Sequence, residues 1–437
     1  MWLRDGTGNG VSLEIPRETP FHLPVVDVSA AVCEYVLVAA HAHELVAFGP
    51  VEEDARAQLD RCLEKGGDEA RGVLCADHHK GYSMPIGGVL ASQSVVMPAG
   101  VGYDIACGNC AVRTNLQASD LDLKDVMDEI WKTISFGMGR KNDEPIREAP
   151  VFDAIARSPV AQQRSLLSLA QSQLGTVGSG NHYVDLLEDR GDGRLWVGVH
   201  FGSRGFGHKT ASGFLALAAG KKWGDHVNDS MDASPQTIQL GTPMADDYLA
   251  AMNIAGEYAY AGRDWVVNRV LRMLGARDEL RVHNHHNFAW WEKHGGEQWL
   301  VVRKGATPAF PGQLGFVGGS MGDDAVIIRG KESAQAQHAL YSTVHGAGRV
   351  MGRMEAKGKW KGARCVKPGR VNWRAWQDRL KTQGIELRGG GADEAPECYK
   401  RLSDVLEYHG ETIDVLHTLK PIGVAMAGRD EFDPYRD

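Results

Sequence analysis

Thiol, carboxylate and imidazole side chains recur at the edges of glycine-rich runs in this 437-residue chain. Such groups bind borderline divalent cations, and a thiolate can bridge two of them. The first cluster is Gly100-Val101-Gly102-Tyr103-Asp104-Ile105-Ala106-Cys107-Gly108-Asn109-Cys110, with a carboxylate three residues before a thiol. Cys107 and Cys110 could instead form half of a structural zinc site or a redox pair, although no second Cys-x-x-Cys accompanies them. The next cluster is Gly175-Thr176-Val177-Gly178-Ser179-Gly180-Asn181-His182, whose backbone N–H groups could approach an anion. It lacks the dinucleotide-binding glycine order. A strand-like run then ends in His200-Phe201-Gly202-Ser203-Arg204, pairing an imidazole with a guanidinium suited to phosphate. A lone strand-end histidine is more often structural, so His200 gains weight only from its company.

His283-Asn284-His285-His286-Asn287 is the densest imidazole run. It is costly to bury without ligands, yet a surface loop would tolerate it, and one ligand is expected here rather than three. Arg303-Lys304-Gly305 and Gly318-Gly319-Ser320-Met321-Gly322 are further loops able to hold phosphate or ribose oxygens. Last comes His345-Gly346-Ala347-Gly348-Arg349, where a histidine nitrogen could attack phosphorus while the arginine offsets developing charge.

Helices and strands must both carry these groups. Ser119 is expected to cap a helix over about Leu121 to Phe136, and a longer helical pattern covers about Asp247 to Leu274, bent near Gly262. Strand-like runs appear at Leu195–Phe201, Gln298–Arg303 and Ala325–Arg329. This mixed order predicts an α+β fold. No linker or repeat divides the chain, so one large catalytic domain over 1–437 is expected, with its motifs in about 77–428.

Composition narrows the class. Met1 to Pro20 lacks an apolar signal-peptide core, and Ala30 to Ala40 is too short to span a bilayer. Seven cysteines without framework spacing argue for a reducing compartment, so a cytoplasmic protein without a membrane is expected. The formal charge of −8 excludes a globally basic nucleic-acid coat. One local exception exists: Arg349 to Lys381 holds eleven Lys/Arg against two acids, with Trp360, Trp373 and Trp376 interleaved. That pattern suits single-stranded nucleic acid, unless the tryptophans turn inward.

Together the segments resemble the RtcB family of RNA ligases. The resemblance spans roughly Asp77 to Gly428 and includes Gly81-Tyr82-Ser83-Met84-Pro85, the Asp104/Cys107 turn, Gly180-Asn181-His182 and His200-Phe201-Gly202-Ser203-Arg204-Gly205. It continues through His286-Asn287, Arg303-Lys304-Gly305-Ala306, Gly319-Ser320-Met321-Gly322, His345-Gly346-Ala347-Gly348-Arg349 and Asp393-Glu394-Ala395-Pro396. It implies an α+β fold of mixed and antiparallel sheets, and two Mn²⁺ ions bridged by Cys107, one completed by Asp104 and His182, the other by His200 and His286. It further implies that His345 attacks the α-phosphate of GTP. GMP then passes to an RNA 3′-phosphate, itself derived from a 2′,3′-cyclic phosphate, and a 5′-hydroxyl end displaces it, in tRNA splicing or RNA repair.

By family position, nucleotide contacts fall at Asn181, His182, Tyr183, Val184 and Asp185, at His286 and Asn287, and at Gly318, Gly319, Ser320, Met321 and Ala325. They continue at His345, Gly346, Ala347, Gly348, Tyr399 and Ala427, with Arg204 and Arg349 as phosphate clamps. Four of these depart from the family: Asp185 replaces glutamate, Ala325 serine, Gly318 proline and Ala427 a nucleotide-contacting lysine. Lys304 or Arg429 could take over that lysine's role. Two rival readings are a two-metal phosphoesterase without ligation and an RNA-binding paralogue that has lost catalysis.

Overall fold

The computed structural model describes residues 35–428 apart from 41, 42, 228, 229, 362 and 363. The expectations for Met1 to Pro20 and Arg429, and in part that for Ala30 to Ala40, lie outside the described residues.

An eight-stranded sheet forms the floor of the molecule's main cavity. Its order is Asp278–His285, Gly108–Gln117, Arg194–Phe201, Tyr183–Asp189, Ile413–Gly428, Ala325–Gly330 and Leu314–Val317, with Glu386–Gly390 paired in parallel to Ile413–Gly428. Strand Arg194–Phe201 shows how sequence positions the site. Leu195, Val197, Val199 and Phe201 enter one apolar cluster with Val266, Val267 and Val270 of the long helix Pro243–Leu274. Trp196 packs on the opposite face with Phe316 and Leu187. Because side chains alternate along a strand, His200 must share the face of Trp196, away from the helix. Register extends that row: Tyr183 pairs with His200, His200 with Asn109, and Asn109 with Asn284.

A second sheet of six strands runs Tyr35–Ala40, His43–Phe48, Arg71–His79, Ile86–Ser92, Glu297–Lys304 and Asn287–His294. His345 follows a short strand, Ser342–Val344, paired with Ala306–Pro308. Val344 and Ala306 are buried with Val89 and Val301 of this second sheet, so the same core that closes the sheet seats the histidine turn. Each fully buried valine or phenylalanine of these clusters is worth roughly 1.5–3 kcal/mol of transfer free energy before entropy is subtracted. The fold is α+β, with mixed sheets, as the sequence predicts.

Two local expectations need correction. Helix Leu123–Thr133 is capped by Asp122, whose side chain accepts from the Asp125 N–H at 3.2 Å; Ser119 lies in the preceding 3-10 turn. Asp122 stands one residue before the helix and offers a carboxylate to the helix dipole, which outcompetes the more distant hydroxyl. The long helix begins earlier than expected, at Pro243 behind the Thr242 cap, and runs to Leu274 as one element through Gly262. Gly262 is buried against Phe201, so it serves close packing. Among the described residues no helix is long and apolar enough to cross a membrane.

Candidate active site and metal centre

Three segments remote in sequence deliver one cluster of donors. Cys107 Sγ lies 3.6 Å from His182 Nε2 and 3.2 Å from His200 Nε2, and His182 Nε2 lies 3.1 Å from Asp104 Oδ2. Gly202 leaves the space the Asp104 carboxylate fills, since any side chain there would collide with it. The other nitrogen of each ring fixes the tautomer. His182 Nδ1 sits 2.9 Å from the Val177 carbonyl and His200 Nδ1 sits 3.0 Å from the Asn181 carbonyl, so both nitrogens must donate there. Arg204 Nη1 also approaches His182 Nδ1, but at the longer distance of 3.3 Å, and the carbonyl contact decides the proton's place. Both Nε2 lone pairs therefore face a thiol sulfur, and one also faces a carboxylate.

The single Cys107 S–H can satisfy only one of these ring nitrogens, and the converging thiol, carboxylate and imidazole donors suit a borderline divalent ion. His286 adds to the fit: it is buried, its ring centroid lies 5.2 Å from that of His200, and its Nδ1 has no hydrogen-bond partner among the described residues. Burial, then the histidine neighbours, push His286 and His200 well below the ordinary imidazole range, which keeps them neutral. All five expected ligand residues thus meet in one place.

His345 stands beside this centre, its ring centroid 4.8 Å from that of His286. Its Nδ1 is 2.7 Å from Asp77 Oδ2, which also accepts from the backbone N–H groups of His345 and Gly346 at 3.0 and 3.3 Å. Burial alone would raise the Asp77 carboxyl, but the His345 imidazole and its hydrogen bonds bring it below the usual carboxylate range. An ionised carboxylate requires a proton on Nδ1, so in the neutral ring the lone pair is on Nε2. Sequence reasoning did not single out Asp77, because its partner lies 268 positions away and no local spacing marks the pair.

These groups line a cavity of about 1510 Å³. Asn181, His182, Tyr183, Asp185, His286, Asn287, Gly318 to Met321, His345 to Gly348, Tyr399, Arg204 and Arg349 all border it. Val184, Ala325 and Ala427 do not. Val184 and Ala427 pack on the long-helix side of the floor sheet, so strand parity turns these two side chains away from the cavity, whereas Ala325 is on the cavity face, buried in the cluster of Tyr183, Phe316 and Met321. Lys304 borders the cavity but donates to the carbonyls of Tyr82 and Met84 at 2.6 and 3.1 Å, which ties it below the Tyr82 loop. Arg349 is likewise engaged, donating to the Tyr399 hydroxyl and the Asp393 carbonyl, each at 2.7 Å.

Asp185 is one row behind Tyr183 on the cavity face. Burial pushes its carboxyl well above the ordinary range, and its Oδ1 has no partner among the described residues.

The paired-cysteine reading fails on geometry. Cys110 belongs to the long-helix face with Val199, opposite Cys107. Its neighbours Asp264 and His283 could complete a second set of ligands, but Arg281 holds Asp264 at 2.5 Å and Arg263 Nε donates to His283 Nε2 at 2.8 Å. Of the basic stretch, Trp373 and Trp376 turn partly into apolar clusters, and Arg379 stands 4.8 Å over the Trp376 ring, so neither is a free stacking platform.

Fold and site together define an α+β protein with a thiol, carboxylate and imidazole cluster beside a histidine held by a buried carboxylate. The family model described as tRNA-splicing ligase RtcB matches residues 67–161 and 153–427. The chain is 30% identical to the RNA-splicing ligase RtcB of Escherichia coli K12, covering 85% of this chain and 94% of that protein. It is 31% identical to the tRNA-splicing ligase RtcB of Archaeoglobus fulgidus, covering 86% and 91%. The corresponding protein of Thermococcus kodakarensis is 28% identical over 85% and 92%. This chain belongs to the RtcB family.

Proposed function

We propose that this protein is an RNA ligase joining 3′-phosphate or 2′,3′-cyclic phosphate ends to 5′-hydroxyl ends, in tRNA splicing or RNA repair, through GMP carried on His345. The observation that carries the reading is the buried Asp77–His345 pair opening onto the metal centre. Nδ1 is committed to Asp77, so Nε2 is the nucleophile: it bonds to the α-phosphorus of GTP as the bond to pyrophosphate breaks. Asp77 offsets the positive charge that the ring acquires. GMP then transfers to the RNA 3′-phosphate, and the 5′-hydroxyl oxygen attacks that phosphate as GMP leaves.

Asp104, Cys107 and His182 would hold one Mn²⁺, and Cys107, His200 and His286 a second. Bound there, the cations would neutralise charge on the reacting phosphate. Arg204, half-buried beside His182, supplies a further positive charge. A cavity of about 1510 Å³ exceeds the roughly 300–1,000 Å³ usual for one small molecule, leaving room for an RNA end beside the nucleotide. The basic stretch from Arg349 to Lys381 would guide that RNA by its charge rather than by stacking on Trp373 or Trp376. Thiolate ligation requires reduced Cys107, which suits one catalytic domain working in the cytoplasm.

A two-metal phosphoesterase would need the cations but not a carboxylate-oriented histidine, so the Asp77–His345 pair favours ligation. Intact-mass measurement after incubation with GTP and Mn²⁺ is the test. The expected outcome is an acid-labile GMP adduct that His345→Ala abolishes without loss of metal; an adduct on that variant would place the nucleophile elsewhere.

A further inference from the structure

The long helix carries one fully buried charge that, among the described residues, no acid neutralises at contact distance: Arg263, 0% exposed. Its Nη1 donates to the Ala106 carbonyl at 3.0 Å and to the Phe201 carbonyl at 2.6 Å; its Nη2 contacts His285 Nδ1 at 2.9 Å and its Nε contacts His283 Nε2 at 2.8 Å. Three of these acceptors adjoin candidate ligands. Ala106 precedes Cys107, Phe201 follows His200, and His285 precedes His286. Arginine has no acceptor, so both rings must present lone pairs to it. Tyr260 closes the group, with its ring 5.2 Å from the guanidinium carbon and 3.9 Å from the His285 centroid.

Backbone strain lies at the same place. Ala106 has φ +60, a left-handed conformation that side-chain-bearing residues rarely adopt. It persists because both its polar groups are held: its N–H donates to the Asn287 carbonyl at 2.7 Å and its carbonyl accepts from Arg263. The strain aims Cys107 into the cavity while Cys110, three residues on, points the other way.

We infer that Arg263 is a positioning residue that fastens the Cys107, His200 and His286 segments to the long helix from behind, setting the geometry of the metal centre without touching it. This rests on the metal reading above. A rigid planar fork with donors in several directions can span three segments; an ammonium on a flexible stem cannot. Groups that orient ligands in this way typically govern metal affinity by roughly ten- to hundred-fold.

Two variants of the full chain test the inference, with Mn²⁺ titrated by calorimetry and Co²⁺ bound for its thiolate charge-transfer absorption. Arg263→Lys keeps the charge and loses the fork: both equivalents of Mn²⁺ should bind about ten- to hundred-fold more weakly, and the Co²⁺ band should shift. His285→Phe removes only the leg beside His286, so one equivalent should weaken while the other stays within about threefold. This second variant decides the matter if Arg263→Lys does not fold. Either variant folding, even with a lowered melting temperature, but binding both ions with native affinity and an unshifted band would reduce Arg263 to a core residue and overturn the inference. Unmodified protein that binds neither ion would overturn the metal reading and this inference with it; native ion binding without a GMP adduct would count against the ligase reading alone.

Discussion

Replacing Asp77 separates orientation of His345 from the charge behind it. Three donors converge on Oδ2, namely His345 Nδ1 at 2.7 Å, His345 N at 3.0 Å and Gly346 N at 3.3 Å, whereas Oδ1 has no partner among the described residues. In Asp77→Asn the amide oxygen must therefore take the Oδ2 place, because the amide nitrogen would face two backbone N–H groups. The Nδ1–H tautomer survives, and the loss is that of a charge-assisted bond, about 1.5–3 kcal/mol, for a neutral one, about 0.5–1.5 kcal/mol. The difference of about 1–1.5 kcal/mol predicts GMP-adduct formation roughly five- to ten-fold slower. In serine-protease triads the same substitution costs ~10⁴, since there the amide turns the imidazole into the wrong tautomer. Asp77→Ala should be far worse than Asn here: it frees the ring and leaves three donors without an acceptor, for a loss of at least about 3 kcal/mol, more than hundred-fold. Single-turnover incubation with labelled GTP and saturating Mn²⁺ reads both rates. If Asn proves as inactive as Ala, the pinned-oxygen argument is wrong; if Ala reacts at the native rate, Asp77 does not orient the nucleophile.

Cys107→Ala should weaken both metal equivalents together by at least about ten-fold, because one sulfur faces both His182 and His200; metal analysis showing one site intact would mean the thiolate does not bridge. Nucleotide choice should depend on pH through Asp185. Burial raises its carboxyl, which extends the protonated form to higher pH than in an exposed carboxylate, and as both donor and acceptor that form can pair with an adenine edge. Rising pH ionises it and leaves only acceptors, which suit the N1–H and amino group of guanine. Adduct competition between GTP and ATP should shift toward GTP as pH rises, and Asp185→Asn should flatten that dependence; strict GTP use at every pH would refute the idea.

Local sequence marked the residues that gather at the candidate site, because glycine-rich turns and polar clusters are local features that burial would otherwise penalise. Asp104, Cys107, His182, His200, His286 and His345 were all legible in this way, as was the mixed helix and strand order. Strand parity was equally readable in Leu195–Phe201, where alternation sends His200 to one face and Val199 to the other.

Only tertiary structure decided which groups stand behind the first ones. Asp77 and His345 meet across 268 residues, and Arg263 reaches Ala106 across 157, through a sheet whose strand order no local pattern encodes. The same holds for what was set aside: Ala427 and Val184 look like pocket residues by position, yet register turns them toward the long helix. A hydrogen bond between distant segments leaves no periodicity in either one, since each residue's type is compatible with many partners. Close packing of the two sheets, the helix and the turns selects one partner and thereby fixes which nitrogen of each histidine is free.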